Sequence, residues 1–194
     1  MNCREAVSPR TDEQLVAAYQ QSGCREALDE LVRRHLRKVR ALVRPMVLDE
    51  ATTDDVCQEV FLRVVRSLPG FNGRSRFSTW LYRITLNAAR SHLRHRPGRE
   101  LRGDPSQHAG RLPGASAPAE PDAALLRAEL ETELAAALAD LSPKLRAAIA
   151  LTSIGRMAAS EAAAVEGCST ATMYWRIHKA RKLLERRLGK YLSS

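Results

Sequence analysis

Apolar residues recur at three- and four-residue intervals along most of this chain, the period that lets one side of an α-helix be buried. The first block opens at Thr11-Asp12-Glu13-Gln14, where a Thr followed three residues later by Gln makes a capping box ahead of Leu15, Val16 and Tyr19. From Ala27 onward, Leu28, Leu31, Leu36, Val39, Leu42, Val43 and Met46 predict a long amphipathic helix ending between Pro45 and Leu48, with Arg33, Arg34, Arg37, Lys38 and Arg40 on its other faces. Thr52 or Thr53 caps a third helix with an inward stripe of Val56, Val60, Phe61, Val64, Val65 and Leu68, and Pro69-Gly70 stops it. After the loop Phe71-Asn72-Gly73-Arg74-Ser75, a fourth helix carries the seam Phe77, Trp80, Leu81 and Ile84.

The period is lost from Pro97 to Pro121, where five prolines and four glycines predict a flexible linker over 97–121. That linker separates a helical unit at 11–96 from a smaller one at 122–192. In the second unit Leu126, Leu130, Leu134, Leu138 and Leu141 descend one helix. Ser142-Pro143 then supplies an N-cap with proline at the first helical position, and Leu145, Ile149 and Thr152 continue inward. Ala158 to Val165, the turn Glu166-Gly167-Cys168, and a helix capped by Ser169 or Thr170 and running from Ala171 to about Leu188 read as a helix-turn-helix. Met173, Ile177, Ala180, Leu184 and Leu188 are its buried stripe. The predicted fold class is therefore all-α, two small helical domains.

Composition narrows the partners. Hydrophobic residues make up 44% of 194, enough for cores, but aromatics only 5%, so Leu, Val and Ala carry the packing. A formal charge of +9 points to an acidic polymer, because each neutralised phosphate releases counterions. A membrane surface is the alternative; against it, no apolar run reaches the roughly eighteen residues of a span, and the amino terminus lacks a secretory core. The reading is a cytoplasmic protein, not itself a membrane protein. Cys3, Cys24, Cys57 and Cys168 are too scattered for a zinc or redox pair and read as buried free thiols. His92 and His95 read as basic-face histidines. With no glycine-rich phosphate loop, no nucleophile elbow and no carboxylate pair set in an apolar, strand-rich context, no catalytic residue, metal or cofactor is expected.

Candidate chemistry lies on three surfaces. Arg76, Arg83, Asn87 and Arg90 offer phosphate contacts and base-edge hydrogen bonds beside an aromatic seam, a mixture suited to single-stranded nucleic acid; an ordinary amphipathic helix with a solvated Arg face shows the same pattern. Near the start of the last helix Tyr174, Trp175, His178 and Lys179 stand where a recognition helix meets base edges, and Arg176, Arg181, Lys182, Arg186 and Arg187 reach phosphate. The Tyr-Trp pair either binds something or Trp175 folds back onto its domain. Asp49, Glu50, Asp54, Asp55 and Glu59 complement a helix dipole and also offer a docking face to a basic protein.

The order and spacing of Asp54-Asp55-Val56-Cys57-Gln58-Glu59-Val60-Phe61-Leu62-Arg63, Phe77-Ser78-Thr79-Trp80-Leu81-Tyr82-Arg83-Ile84, Asn87, Leu141-Ser142-Pro143-Lys144-Leu145-Arg146 and the closing Arg176-Ile177 and Lys179-Ala180-Arg181 resemble the extracytoplasmic-function (ECF) sigma factors of bacterial RNA polymerase, over nearly the whole chain apart from the linker. The resemblance implies a four-helix sigma region 2 bundle at 11–96 and a region 4 helix-turn-helix at 122–192. It implies that Asp54, Asp55, Gln58, Glu59, Leu62 and Arg63 dock on the clamp of the polymerase's largest subunit, with the flap as a further contact. Phe71, Asn72, Gly73, Arg74, Ser75, Arg76, Arg83, Asn87, Arg90 and Ser91 would hold a base flipped from the minus-ten element, and Thr172, Tyr174, Trp175, Arg176, His178, Lys179, Arg181 and Lys182 would read the minus-thirty-five duplex. Core polymerase, promoter DNA both double-stranded and melted, and a membrane-anchored anti-sigma factor are the implied partners; the polymerase supplies catalysis and its Mg²⁺. The chain departs from the family pattern at Ala171-Thr172-Met173, where Gly-Thr-Val is usual, at the bulky Tyr174-Trp175, and at Ala162, where an Ile often packs. Two other readings stay open: a regulator that binds a duplex operator by itself as a dimer, and a helical nucleic-acid-processing enzyme with a metal at the acidic residues from Asp49 to Glu59.

Overall fold

The computed structural model of the chain describes residues 10–94 and 121–192. Every regular element among them is helical, as the period predicts. Helix α1 (Asp12–Ser22) starts at the expected capping box: Thr11 Oγ1 accepts from the Gln14 amide and Gln14 Oε1 accepts from the Thr11 amide at 2.8 Å. Gly23, at φ 63°, closes the helix in a conformation that glycine adopts without strain.

Helix α2 (Arg25–Val47) is the central element and packs against α1, α3 and α4. Its inward stripe runs Leu31, His35, Val39, Leu42, Met46, and His35 takes the place the sequence pattern offered to Leu36. One residue further along a helix is a rotation of about 100°, so Leu36 turns outward and is 45% exposed. His35 is stabilised in the core by Asp12 Oδ2 at 2.7 Å from Nε2, with Tyr82 Oη 3.4 Å from Nδ1. The hydrogen bond with His35 holds the Asp12 carboxyl below the usual carboxylate range, and Arg34 adds to this. Leu48 ends α2 at φ 60°, unusual for a branched side chain; its side chain packs on Leu138, Leu141, Leu145 and Ile149 of the second half, which offsets the backbone cost.

Helix α3 (Glu50–Ser67) corrects the expected cap. Its N-cap is Asp49, whose Oδ2 accepts from the Thr52 amide at 2.7 Å, while Thr52 and Thr53 are buried inside the first turn. A carboxylate is the stronger acceptor at a positive helix end, and it leaves both Thr methyls free to pack. Val56, Val60, Val64 and Leu68 form the buried ladder, so Val65, one position off it, is exposed. A 3₁₀ turn at Leu68–Gly70 leads through the loop 71–76 into α4 (Phe77–Arg94). The buried face of α4 is wider than its predicted seam and includes Tyr82, Thr85, Leu86, Ala88 and Ala89, because α4 is covered by α2 and α3 and also by a helix of the second half.

In the second half, α5 (Pro121–Ala139), α6 (Pro143–Ile149), a π-helical turn (Ala150–Ile154), α7 (Ala159–Glu166) and α8 (Thr170–Leu192) reproduce the expected helix-turn-helix. Gly167, at φ 64°, makes its turn. Of the leucine ladder, Leu138 and Leu141 are buried and Leu134 is half-buried, but Leu130 is exposed; α5 is covered where its C-terminal half meets α8. The side chain of Leu126, His95 and the expected linker, apart from Pro121 at the start of α5, lie outside the described residues.

The two halves do not stand apart. Ala147, Ala148, Ala150, Leu151, Ala162, Ala163 and Val165 join the same apolar cluster as the core of α1 to α4. Small residues make this approach possible: a Cβ on Gly155 would lie 2.6 Å from Leu151 O and 3.3 Å from Leu42 Cδ2. Ala162 is fully buried, and a side chain the size of Ile there would displace α7 from the elements packed around it. Arg146 also crosses the seam, donating from Nη1 to Met46 O at 2.8 Å.

Cys57 is a buried free thiol, as expected, and Cys168 a half-buried one, whereas Cys24 is disulfide-bonded, which sequence spacing does not reveal. Burial pushes the Cys57 thiol up to about 11 from 9.0. At neutral pH that leaves about a hundredth of the thiolate an unperturbed thiol offers. Iodoacetamide should accordingly label Cys57 in the folded chain at least about a hundredfold more slowly than in denatured chain, as followed by peptide mass spectrometry; equal rates would show the thiol to be open to solvent.

Candidate nucleic-acid and docking surfaces

The loop before α4 rests on an aromatic base. Phe71 and Trp80 approach to 5.0 Å between ring centroids and Phe77 and Trp80 to 5.8 Å, so Trp80 is half-buried in packing. Gln20 of α1 donates to Leu68 O at 2.9 Å and Phe71 O at 2.8 Å, tying the near end of the loop. Above that anchor Asn72, Gly73, Arg74 and Arg76 are exposed and Ser75 half-buried; Asn72 Oδ1 accepts from the Arg74 amide at 3.2 Å, and Gly73 sits at φ 71°.

Beneath the loop opens a cleft of about 500 Å³ lined by Asp12, Glu13, Gly73, Ser75, Arg76 and Ser78, a volume in the range that holds small ligands. Asp12, Glu13 and Ser78 were not among the candidates from sequence. Glu13 reaches the site because its Oε1 accepts from the Phe77 amide at 3.3 Å, capping α4 from a residue 64 positions away. The capping box marks the start of α1 but carries no signal about what α1 will touch.

Along α4, Arg83 and Asn87 are exposed and Arg90 and Ser91 half-buried. The three arginines of this surface are drawn to α7. Arg76 Nη1 lies 3.4 Å from Glu161 Oε1, Arg83 Nη2 donates to Ala164 O at 2.7 Å, and Arg90 Nη2 donates to both Glu166 oxygens at 2.6 and 2.7 Å.

On α3, Asp54 and Glu50 both pair with Arg40 of α2, and Glu59 pairs with Arg63 one turn on at 2.6 Å. Asp55, Gln58 and Leu62 are exposed on the same helix. The result is an apolar side chain flanked by acids and an amide, with Glu50, Asp54 and Glu59 held by arginines and the acids not converged on one point. Among the described residues, no group of three or more His, Cys, Asp or Glu is placed to hold a metal ion, and no helix is long and apolar enough to cross a membrane.

On α8, Ser169 rather than Thr170 serves as the cap, its Oγ accepting from the Thr172 amide at 3.1 Å. Tyr174 and Trp175 are 63% and 57% exposed, so Trp175 does not fold back; Lys179 Nζ sits 4.9 Å from its ring centroid. His178, Lys179, Arg181 and Lys182 share the exposed surface and Thr172 is half-buried. Arg176 lies three residues after the buried Met173 and turns inward, donating to Glu166 Oε2 at 3.1 Å.

Residues 31–97 match the family model of sigma-70 region 2 and residues 131–184 that of sigma-70 region 4. The chain is 34% identical over 186 residues to the RNA polymerase sigma-H factor of Pseudomonas aeruginosa, covering 94% of this chain and 96% of that protein. It is 30% identical over 189 residues to the ECF RNA polymerase sigma-E factor of Escherichia coli K12, covering 94% and 97%. The structure of CnrH in complex with the cytosolic domain of CnrY has a TM-score of 0.68 at 29% identity over 93% of this chain and 99% of that one. The fold is shared with the sigma factor RpoE of Bartonella quintana, solved with the anti-sigma factor NepR, at a TM-score of 0.64 and 22% identity over 83% and 96%. The chain belongs to the RNA polymerase sigma-70 family, as a sigma factor of the ECF type built from regions 2 and 4.

Proposed function

We propose that the unit at 11–96 docks on core polymerase through Asp54, Asp55, Gln58, Glu59, Leu62 and Arg63, and holds an unpaired minus-ten base at the loop 71–76 with Arg83, Asn87, Arg90 and Ser91. The unit at 122–192 reads the minus-thirty-five duplex with Thr172, Tyr174, Trp175, His178, Lys179, Arg181 and Lys182, with Arg176 behind them. The cleft beneath the loop is the observation that carries this reading, because it offers one nucleotide-sized, polar-lined recess where a strand leaving the duplex would pass. Capturing a base there offsets the few kcal/mol of unstacking and unpairing by stacking and hydrogen bonds, and so lowers the cost of opening without making or breaking a bond. Catalysis stays with the polymerase, so this chain is not itself an enzyme, and it works in the cytoplasm. A membrane-anchored anti-sigma factor with a basic and apolar face is the partner that would compete for the acids and Leu62 of α3.

Co-purification with core polymerase followed by transcription from a genomic promoter library tests the reading. Start-site selection that depends on the added chain is expected; a chain that binds a duplex operator unaided and leaves polymerase unaffected would overturn it. Reversal of one exposed docking charge, Asp55→Arg, should weaken retention on core about fivefold, the equivalent of about 1 kcal/mol for an exposed pair. The deficit should shrink as salt is raised. Undiminished retention in a low-salt pull-down would remove Asp55 from the interface.

A further inference from the structure

Arg83 and Arg90 stand seven residues apart, two turns along one stripe of α4, and Arg76 continues the interval just before the helix. All three meet α7. Arg83 reaches the carbonyls at its C-terminal end, with Nη2 2.7 Å from Ala164 O and Nε 3.4 Å from Val165 O. Arg90 forks onto Glu166, and the same carboxylate accepts from Arg176 of α8. Only 3% of the Glu166 side chain remains exposed, against 26% for Arg90 and 13% for Arg176.

Glu166 is the last residue of α7. A carboxylate is disfavoured at that negative helix end, and two guanidinium groups reverse the preference. A buried pair of this kind is screened by salt far less than an exposed one. Helix α7, whose Ala162 and Ala163 are fully packed in the shared core, lies against α4, close enough for the arms to meet.

We propose that Glu166 is an internal phosphate surrogate that latches the free chain shut, engaging Arg90 of region 2 so that it is not available to DNA while the halves stay packed, with Arg176 of its own half holding the carboxylate in place. The proposal rests on the reading of Arg90 as a DNA contact. Guanidinium recognises carboxylate and phosphate through the same paired N–H geometry, so closure and phosphate binding compete for one set of donors. The apparent DNA affinity of the free chain is then its intrinsic affinity scaled by the open fraction. A scaffold that holds the halves apart releases Arg90 for the strand.

The test uses the full chain without polymerase, comparing wild type with Glu166→Gln, Glu166→Lys and, as a control on an exposed and longer pair, Glu161→Gln. Small-angle scattering reports closure, and fluorescence anisotropy with a labelled mixed-sequence duplex containing an unpaired bubble reports phosphate binding, which does not depend on sequence. Both Glu166 variants should show a larger radius of gyration, bind the probe about tenfold more tightly, and steepen the plot of log affinity against log salt by about one phosphate contact. Glu161→Gln should change each of these little. An unchanged radius in Glu166→Lys, with circular dichroism showing it folded, overturns the latch. Expansion without tighter binding overturns the masking of DNA contacts, and an effect of Glu161→Gln as large as that of Glu166→Gln overturns Glu166 as its centre. Failure of wild type to direct transcription with core polymerase strikes instead at the sigma-factor site assignment, and leaves the scattering result to stand alone.

Discussion

Replacing Arg146 with alanine is expected to lower the unfolding free energy by about 3–5 kcal/mol, the combined cost of leaving buried acceptors unserved and a cavity in their place. Only 3% of Arg146 is exposed, and among the described residues it pairs with no carboxylate; it donates to Met46 O at 2.8 Å, Ala139 O at 2.9 Å and Leu141 O at 3.1 Å. Those carbonyls lie at or just beyond the ends of α2 and α5, where the last turn lacks intrahelical donors and the dipole is negative. One planar guanidinium thus serves two helix ends. Burial pulls its pKa below the usual arginine value, yet the neutral form would lose the interaction that favours its place. Alanine would leave three acceptors unserved and a cavity behind them. For a chain of this length the loss corresponds to a fall in Tm of roughly 10 °C, measurable by thermal melts in circular dichroism. Arg146→Lys, which keeps the charge but has one nitrogen, should fall between the two, and Arg146→Met should resemble alanine because an apolar side chain cannot satisfy backbone carbonyls. A loss below about 1 kcal/mol in alanine would mean that water replaces the guanidinium.

The contrast between Thr11 and Arg90 shows what could be read ahead of the structure. The capping box, the proline after Ser142 and the turn at Gly167 are local, and each appears where the chain pattern places it. The helical period gave the elements and the family motifs gave two helical regions. Errors of a few positions followed where a polar residue took a place the pattern did not give it: His35 displaced Leu36 by one, and the choice of Asp49 as cap, three or four residues early, drew Thr52 and Thr53 inside. The partners of the arginines lay further beyond reach, because Arg90 and Glu166 are 76 residues apart with the linker between them. A run of alanines in α6 and α7 reads as weakly amphipathic; its meaning, close packing of α6 on α2 and α7 on α4, becomes visible only when both surfaces are present. The same holds for Glu13, whose role depends on the amide of Phe77.

Removing the Asn87 side chain should slow open-complex formation by about ten- to a hundredfold, within the 1–3 kcal/mol that a paired amide contributes at a base edge. Asn87 is exposed on α4, four residues beyond Arg83 and three before Arg90. Loss of folding does not provide a competing account, since alanine at an exposed helical position raises helix propensity by several tenths of a kcal/mol. Nor should polymerase binding suffer, because the proposed docking residues lie on α3. Two readouts separate the role from a phosphate contact. Permanganate reactivity of minus-ten thymines should drop in Asn87→Ala while retention on core is unchanged, and a template with the minus-ten region already unpaired should recover most of the rate, the melting step having been bypassed. Arg83→Ala, by comparison, should weaken DNA binding on any sequence and reduce its salt dependence by about one phosphate. Full permanganate reactivity in Asn87→Ala would exclude the amide from base capture and leave the cleft residues Glu13, Ser75 and Ser78 to hold the base without it.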